Sequence, residues 1–81
     1  MGHETMFETE LVRQSDPRHR MPVRLMNEPI AGTVIAFRRD HGLYSTMKRN
    51  YGTARVQIIS VEPQMVNGVH GFLVKFEPQA A

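Results

Sequence analysis

The sequence predicts a mainly β protein, with a short N-terminal helix followed by a small antiparallel barrel or curled sheet of about five strands. Gly32, Gly42 and Gly52 lie ten residues apart, and Asn67 with Gly68 adds a further turn signal. This spacing is typical of short strands joined by tight turns. The segments between the turns are rich in β-branched and aromatic residues, which favour strands.

The N-terminal helix is predicted over residues 5–13. Thr5 and Glu8 have the spacing of a capping box, and Phe7 and Leu11 lie four residues apart on one helical face. The helix should end before the Ser-Asp-Pro turn that follows, because the residue before a proline is disfavoured in helical geometry.

Five strands are predicted after the helix, at residues 23–26, 33–39, 43–49, 53–61 and 71–77. The main alternative for the middle of the chain is a helix across residues 33–51. Gly42 and the β-branched Thr-Val-Ile at the start of this segment are unfavourable inside a helix, so two strands are predicted there.

A chain of 81 residues has room for one small core, so a single domain is predicted over 1–81. It should comprise a helical segment at 1–16, the β-barrel or sheet at 17–77 and a frayed tail at 78–81. The absence of cysteine excludes disulfides and thiolate metal sites. Since neither a membrane-length apolar run nor a signal-peptide core is present, we expect a cytoplasmic protein without a membrane partner.

Basic residues are concentrated in the middle of the chain. Residues 1–12 carry a net charge of −3, residues 13–55 carry +6 and residues 56–81 carry −1. Within the middle, residues 36–55 hold both tyrosines and five of the ten lysines and arginines. Cations follow phosphates and aromatic rings stack on bases, so this composition predicts a ligand-binding face. Its predicted members are Arg18, Arg20, Arg24, Arg38, Arg39, His41, Tyr44, Lys48, Arg49 and Tyr51.

These residues favour a non-enzymatic binding module for a phosphate-bearing ligand, with single-stranded nucleic acid first. The alternative is a small adaptor or inhibitor that docks its basic face on an acidic protein partner. Asp16 with His19, and Asp40 with His41, are the nearest approach to an acid–base pair, and no nucleophile lies in a recognisable motif. We expect neither an enzyme, nor a metal site, nor a cofactor.

The segment RHRMPVRLMNEPIAGTVIAF, residues 18–37, resembles the opening of a PilZ domain, and ARVQIISVEPQMVNGVHGFLVKF, residues 54–76, is similar to that family's closing hairpin. PilZ domains bind cyclic di-GMP through arginines ahead of the first barrel strand. The resemblance therefore implies, as a third alternative, a cyclic di-GMP receptor that uses Arg18, Arg20 and Arg24. The family's Asp/Asn-x-Ser-x-x-Gly element is replaced here by Phe-Arg-Arg-Asp-His-Gly.

A second resemblance, over roughly residues 20–76, is to Sm-like RNA-binding proteins, which have an N-terminal helix and five short strands. The apolar and glycine spacing of their first motif is matched by Gly32, Val34, Phe37 and Leu43. This resemblance implies RNA binding and assembly into a ring, so a homo-oligomer is also expected. The base-pocket positions of the motif hold Arg38 and Gly42 here.

Overall fold

A computed structural model of the chain describes residues 6–66 and 68–79. Its elements are β1 (Phe7–Arg13), β2 (Asp16–Leu25), β3 (Val34–Ala36), α1 (Tyr44–Tyr51), β4 (Arg55–Val66) and β5 (Val69–Pro78). The strands form one curled sheet in the order β2-β1-β5-β4-β3, which makes a half-barrel. The prediction of a mainly β fold with about five strands is confirmed. No helix of the described residues has the length and apolar character that a membrane span requires.

The predicted N-terminal helix is wrong, because Phe7–Arg13 forms strand β1. Phe7 and Leu11 lie four residues apart, and this spacing fits one face of a strand as well as one face of a helix. Thr9, which lies between them on the same strand face, is almost completely buried, so the period of two decides the structure. Thr5, the predicted capping residue, lies outside the described residues.

The sheet is mixed, so the prediction of a purely antiparallel sheet is also wrong. Strand β1 pairs antiparallel with β2 and parallel with β5, with Leu11 beside Val74 in the parallel pair. A parallel pair needs a long connection between its strands. Here the chain from the end of β1 to the start of β5, which includes α1, supplies it.

The predicted third strand at 43–49 is wrong, because α1 occupies Tyr44–Tyr51. Gly42, which argued against a helix, precedes the helix instead of interrupting it. Gly52 ends the helix with φ 74°, and its N–H donates to the oxygen of Lys48 at 2.8 Å. The helix therefore fits between two of the evenly spaced glycines, and the helix considered across 33–51 is right only for its last eight residues.

The remaining strands differ from the prediction mainly in their bounds. Strand β2 starts at Asp16 instead of residue 23, and β3 is limited to Val34–Ala36. Strand β5 extends to Pro78, and the N–H of Gln79 donates to the oxygen of Arg55 at 2.9 Å. Residues 80 and 81 of the predicted frayed tail, and Asn67 of the predicted turn, lie outside the described residues.

The core lies on the concave face of the half-barrel. Strands contribute its most buried side chains, including Leu11, Val74 and Phe76, and α1 adds the fully buried Met47. At this end of the half-barrel the ring of Tyr51 packs edge-on against Phe76, with 5.9 Å between the centroids. The helix therefore covers part of the concave face, and its opposite face stays exposed.

Candidate functional site

The arginines of β2 are exposed, and each is paired with a carboxylate. Arg24 Nε lies 2.9 Å from Glu8 Oε1, and the two residues are direct neighbours in the β1–β2 pair. Arg20 Nη1 lies 3.0 Å from Glu10 Oε1, and Arg18 Nε lies 3.2 Å from an oxygen of Asp16. Arg20 and Arg24 alternate with the buried side chains at the end of β2, so the strand period sets the direction of these two side chains.

A second group of basic side chains follows β3 and continues onto α1. We call this group the loop–helix surface, and it consists of Arg38, Arg39, Lys48 and Arg49. All of its members are exposed, and none forms an ion pair with a carboxylate of the described residues. Lys48 and Arg49 lie in the last turn of α1, where positive charge interacts favourably with the helix dipole.

Backbone hydrogen bonds fix the loop part of this surface to the start of the helix. The N–H of His41 donates to the oxygen of Arg38 at 2.9 Å, and the N–H of Tyr44 donates to the oxygen of His41 at 3.0 Å. His41 Nδ1 accepts from the N–H of Leu43 at 3.0 Å, and its ring lies 4.9 Å from that of Phe37. His41, predicted as a ligand contact, therefore organises the loop.

The tyrosines pack toward the protein. The ring of Tyr51 lies between the Phe76 ring and the guanidinium of Arg13, whose Cζ is 5.1 Å from the ring centroid. The Tyr51 hydroxyl is 3.2 Å from His19 Nδ1, and burial raises the pKa of Tyr51, partly offset by the charge of Arg13. Tyr44 is half-buried against the core. Neither ring stands free as a stacking platform.

A groove of about 260 Å³ separates β2 from α1, and it is lined by Arg18, His19, Arg20, Met21, Thr46, Asn50 and Tyr51. Within it His19 joins two elements, because its Nε2 lies 3.4 Å from Asp16 and its Nδ1 meets Tyr51. A hydrogen bond from Arg18 holds the pKa of Asp16 below its usual value. Asp16 and His19, considered as an acid–base pair, thus connect the sheet to the helix.

Two further exposed bases, Arg55 and Lys75, also lack an ion pair with any described carboxylate, and the predicted site did not include them. Both were within reach of sequence reasoning. Arg55 lies in the charged stretch 36–55, and Lys75 alternates with the apolar residues of β5.

Glu77 holds the β1–β2 turn to β5, and this contact should depend on pH. Its carboxylate accepts from the N–H of Ser15 at 2.6 Å, the Ser15 hydroxyl at 3.1 Å and Arg13 Nε at 3.3 Å. Burial raises the pKa of Glu77, but the hydrogen bonds from Ser15 and Arg13 outweigh it, so the pKa lies below its ordinary value of 4.5. The resulting stability is present above pH 4.5 and is lost as the pH falls through the lowered pKa.

We therefore expect Glu77→Gln to be less stable than the unaltered protein at pH 7. The difference should shrink at acidic pH, because the carboxylate loses its charge as the pH falls through the lowered pKa. Urea unfolding followed by circular dichroism at pH 7 and at acidic pH measures this. Glu62→Gln is the control, because Glu62 is exposed and forms no ion pair with a described residue. An equal loss for Glu77→Gln at both pH values would contradict the assignment.

Comparison of the chain with protein-family models, curated proteins and solved structures finds no significant match in any of the three. Only this chain's own residues therefore bear on its function. What the loop–helix surface offers chemically is unneutralised positive charge on a segment that hydrogen bonds hold in place.

Proposed function

We propose that this protein is a non-enzymatic binding module for a phosphate-bearing ligand, most of all single-stranded nucleic acid, held by the loop–helix surface. One observation carries the proposal. The four basic side chains of this surface are exposed and form no ion pair among the described residues, whereas each arginine of β2 forms an ion pair with a carboxylate. These four basic residues lie on one segment of the chain, whereas the other two exposed basic residues without such a pair, Arg55 and Lys75, lie on separate strands.

Whether a basic side chain already has a carboxylate partner affects the free energy of phosphate binding. When a lysine or arginine without an ion pair binds a phosphate, condensed counterions are released and no ion pair with a carboxylate has to be broken first. Three of the four bases are arginine, whose planar guanidinium matches two phosphate oxygens at once. A nucleic-acid strand supplies phosphates at regular intervals along such a segment.

The packing of the tyrosines bears on the mode of binding. Tyr51 contacts Arg13, His19 and Phe76. Its ring therefore packs between the helix and the sheet and is not available for stacking on a nucleobase. Tyr44 is half-buried at the first turn of α1. Binding should therefore depend on phosphate contacts, and such contacts carry little sequence information.

The inward packing of Tyr51 also favours a second candidate, an acidic protein that docks on the same surface. Such a partner needs positive charge but no exposed ring for base stacking. Cyclic di-GMP bound through Arg18, Arg20 and Arg24 would instead have to replace three existing ion pairs.

The test is fluorescence anisotropy of a labelled random-sequence RNA of 12 nucleotides, titrated with the protein at several salt concentrations. Four phosphate contacts should give a slope of about −3 in a plot of log K against log salt, at about −0.7 per contact for single strands. Polyglutamate and cyclic di-GMP serve as competitors. Absence of RNA binding at low salt would refute the nucleic-acid proposal, and binding of labelled polyglutamate in that case would support the acidic partner.

A further inference from the structure

The half-barrel has an open seam at β3. Strands β2 and β3 are the two edges of the sheet, and a short connection at residues 26–33 joins them. We infer that the free edge of β3 is a second binding site, separate from the loop–helix surface, which takes an extended segment of another protein as an additional strand. Three features of the described residues support it: the direction of the β3 backbone, a groove with an apolar wall beside it and the arrangement of charge.

The backbone of β3 has one side that faces away from β4. The N–H of Phe37 donates to the oxygen of Ala54 at 2.9 Å, and the N–H of Ile58 donates to the oxygen of Thr33 at 2.8 Å. Residues 33 and 37 therefore direct backbone groups toward β4. Because these directions alternate along a strand, Val34 and Ala36 present their backbone groups to the open side. In the described part of the chain, no turn or loop hydrogen bond reaches either residue.

A groove of about 290 Å³ with both apolar and polar walls lies beside this edge. Its walls come from the end of β2 and the following loop, from β3 and from β4. Leu25, Met26, Pro29, Val34, Ile35 and Ile58 form the apolar part of the lining, and Asn27, Glu28 and Thr33 form the polar part. Met26 and Ile30 in this region are 65% and 59% exposed. An added strand would direct every second side chain to the concave face, where an apolar side chain would cover Ile35 and enter the groove.

Charge at the two ends of β3 specifies the segment further. Arg55 lies directly opposite Ala36 in the β3–β4 pair, and both are exposed on the outer face. Glu28 lies at the other end, where it lines the groove. A neighbouring strand that places an acidic residue beside Ala36 would lie two strand spacings, about 10 Å, from the backbone of Arg55. The long arginine side chain can extend across the small Ala36 toward such a carboxylate. The site therefore fits a segment with apolar residues inward and an acidic residue outward.

These charges favour a segment of another protein over a second copy of this chain. Strand β3 itself contains no acidic residue, and it is followed by Arg38 and Arg39. Two copies that paired through this edge would each offer apolar residues and arginines, without the carboxylate that Arg55 would attract. Both modes use main-chain hydrogen bonds for affinity, and only the acidic segment adds charge complementarity.

The probe is a fluorescein-labelled peptide, Thr-Val-Glu-Val-Glu-Val-Glu-Thr, compared by anisotropy with the same peptide carrying lysine for glutamate. The unaltered protein should bind the glutamate peptide at least about tenfold more tightly, and Arg55→Glu should reverse this preference. Lys75→Glu, an exposed change of the same charge on β5, is the matched control and should keep it.

Ala36→Pro tests the strand pairing itself, since proline removes an N–H that faces the open edge and should leave the bonds to β4 in place. It should abolish peptide binding while circular dichroism and RNA binding stay unchanged, which separates this site from the loop–helix surface. Unchanged peptide binding by Ala36→Pro, or an unchanged preference in Arg55→Glu, would overturn the inference. So would a dimer in light scattering that Ala36→Pro dissociates, because a second copy would then occupy the edge.

Discussion

Replacing Arg38, Arg39 and Arg49 together by glutamine should weaken RNA binding by roughly five hundredfold at about 50 mM salt. This estimate assigns one phosphate contact to each arginine and a salt slope of about −0.7 per contact. The three side chains are exposed, so their loss should leave the free energy of unfolding nearly unchanged. Anisotropy with the 12-nucleotide RNA measures the affinity, and urea unfolding checks the fold.

The chain offers a matched control for this experiment. Replacing Arg18, Arg20 and Arg24 by glutamine also removes three arginines and the same net charge, but these arginines already bond to carboxylates. We expect this triple variant to lose less than about tenfold in affinity, through the change in overall field alone. Equal losses in both triple variants would mean that binding responds to net charge and not to the loop–helix surface.

The largest effect on stability should come from Gly71→Ala, at about 3 kcal/mol, the upper end of the usual range for steric overpacking. Gly71 lies beside Glu8 in the parallel pair of β1 and β5. An added Cβ would clash with the backbone oxygen of Glu8 and would also lie 3.1 Å from a methyl group of Val66. Since a backbone oxygen in a paired strand cannot move aside freely, the contact between β1 and β5 must open.

Gly42→Ala is the control for this substitution. Gly42 has no atom within 4 Å of the position of an added Cβ, and it does not have a positive φ angle. The free energy of unfolding of Gly42→Ala, measured in urea, should differ from that of the unaltered protein by less than about 0.5 kcal/mol. Nearly equal stabilities of Gly71→Ala and Gly42→Ala would show that β1 does not pack against β5 as closely as described.

Much of the sheet could be predicted from local patterns, and the errors have identifiable causes. Strands β4 and β5 were predictable because β-branched residues and strict alternation act together in them. The pattern of β1 was ambiguous, because Phe7 and Leu11 satisfy a period of four and a period of two equally. Its position between β2 and β5 is a long-range contact that no local signal contains.

The helix α1 was missed for a different reason. Gly42 and the β-branched start at Thr33 argue against one long helix, and they do so correctly, because residues 33–43 are not helical. They say nothing about a short helix that begins after Gly42 and is ended by Gly52. Met47 and Tyr51, four residues apart, carried the helical signal within that shorter window.

The error at β1 also explains why the ion pairs of the β2 arginines were not predicted. With residues 5–13 taken as a helix, Glu8 and Glu10 had no defined relation to the arginines of β2. Once β1 is a strand beside β2, alternation places those carboxylates on the same face as Arg20 and Arg24. The basic residues of the loop–helix surface have no neighbouring strand that carries glutamates, so they form no ion pair among the described residues.

The most direct test of the proposed interface is an ¹⁵N-¹H correlation spectrum of the labelled protein, recorded during titration with the 12-nucleotide RNA. The largest shift changes should fall on the amides of residues 38–41 and 45–50, with small changes along β2. Cyclic di-GMP added separately should leave the loop–helix surface unperturbed. Changes confined to β2, or a spectrum that RNA does not alter at low salt, would contradict the assignment of nucleic-acid binding to the loop–helix surface.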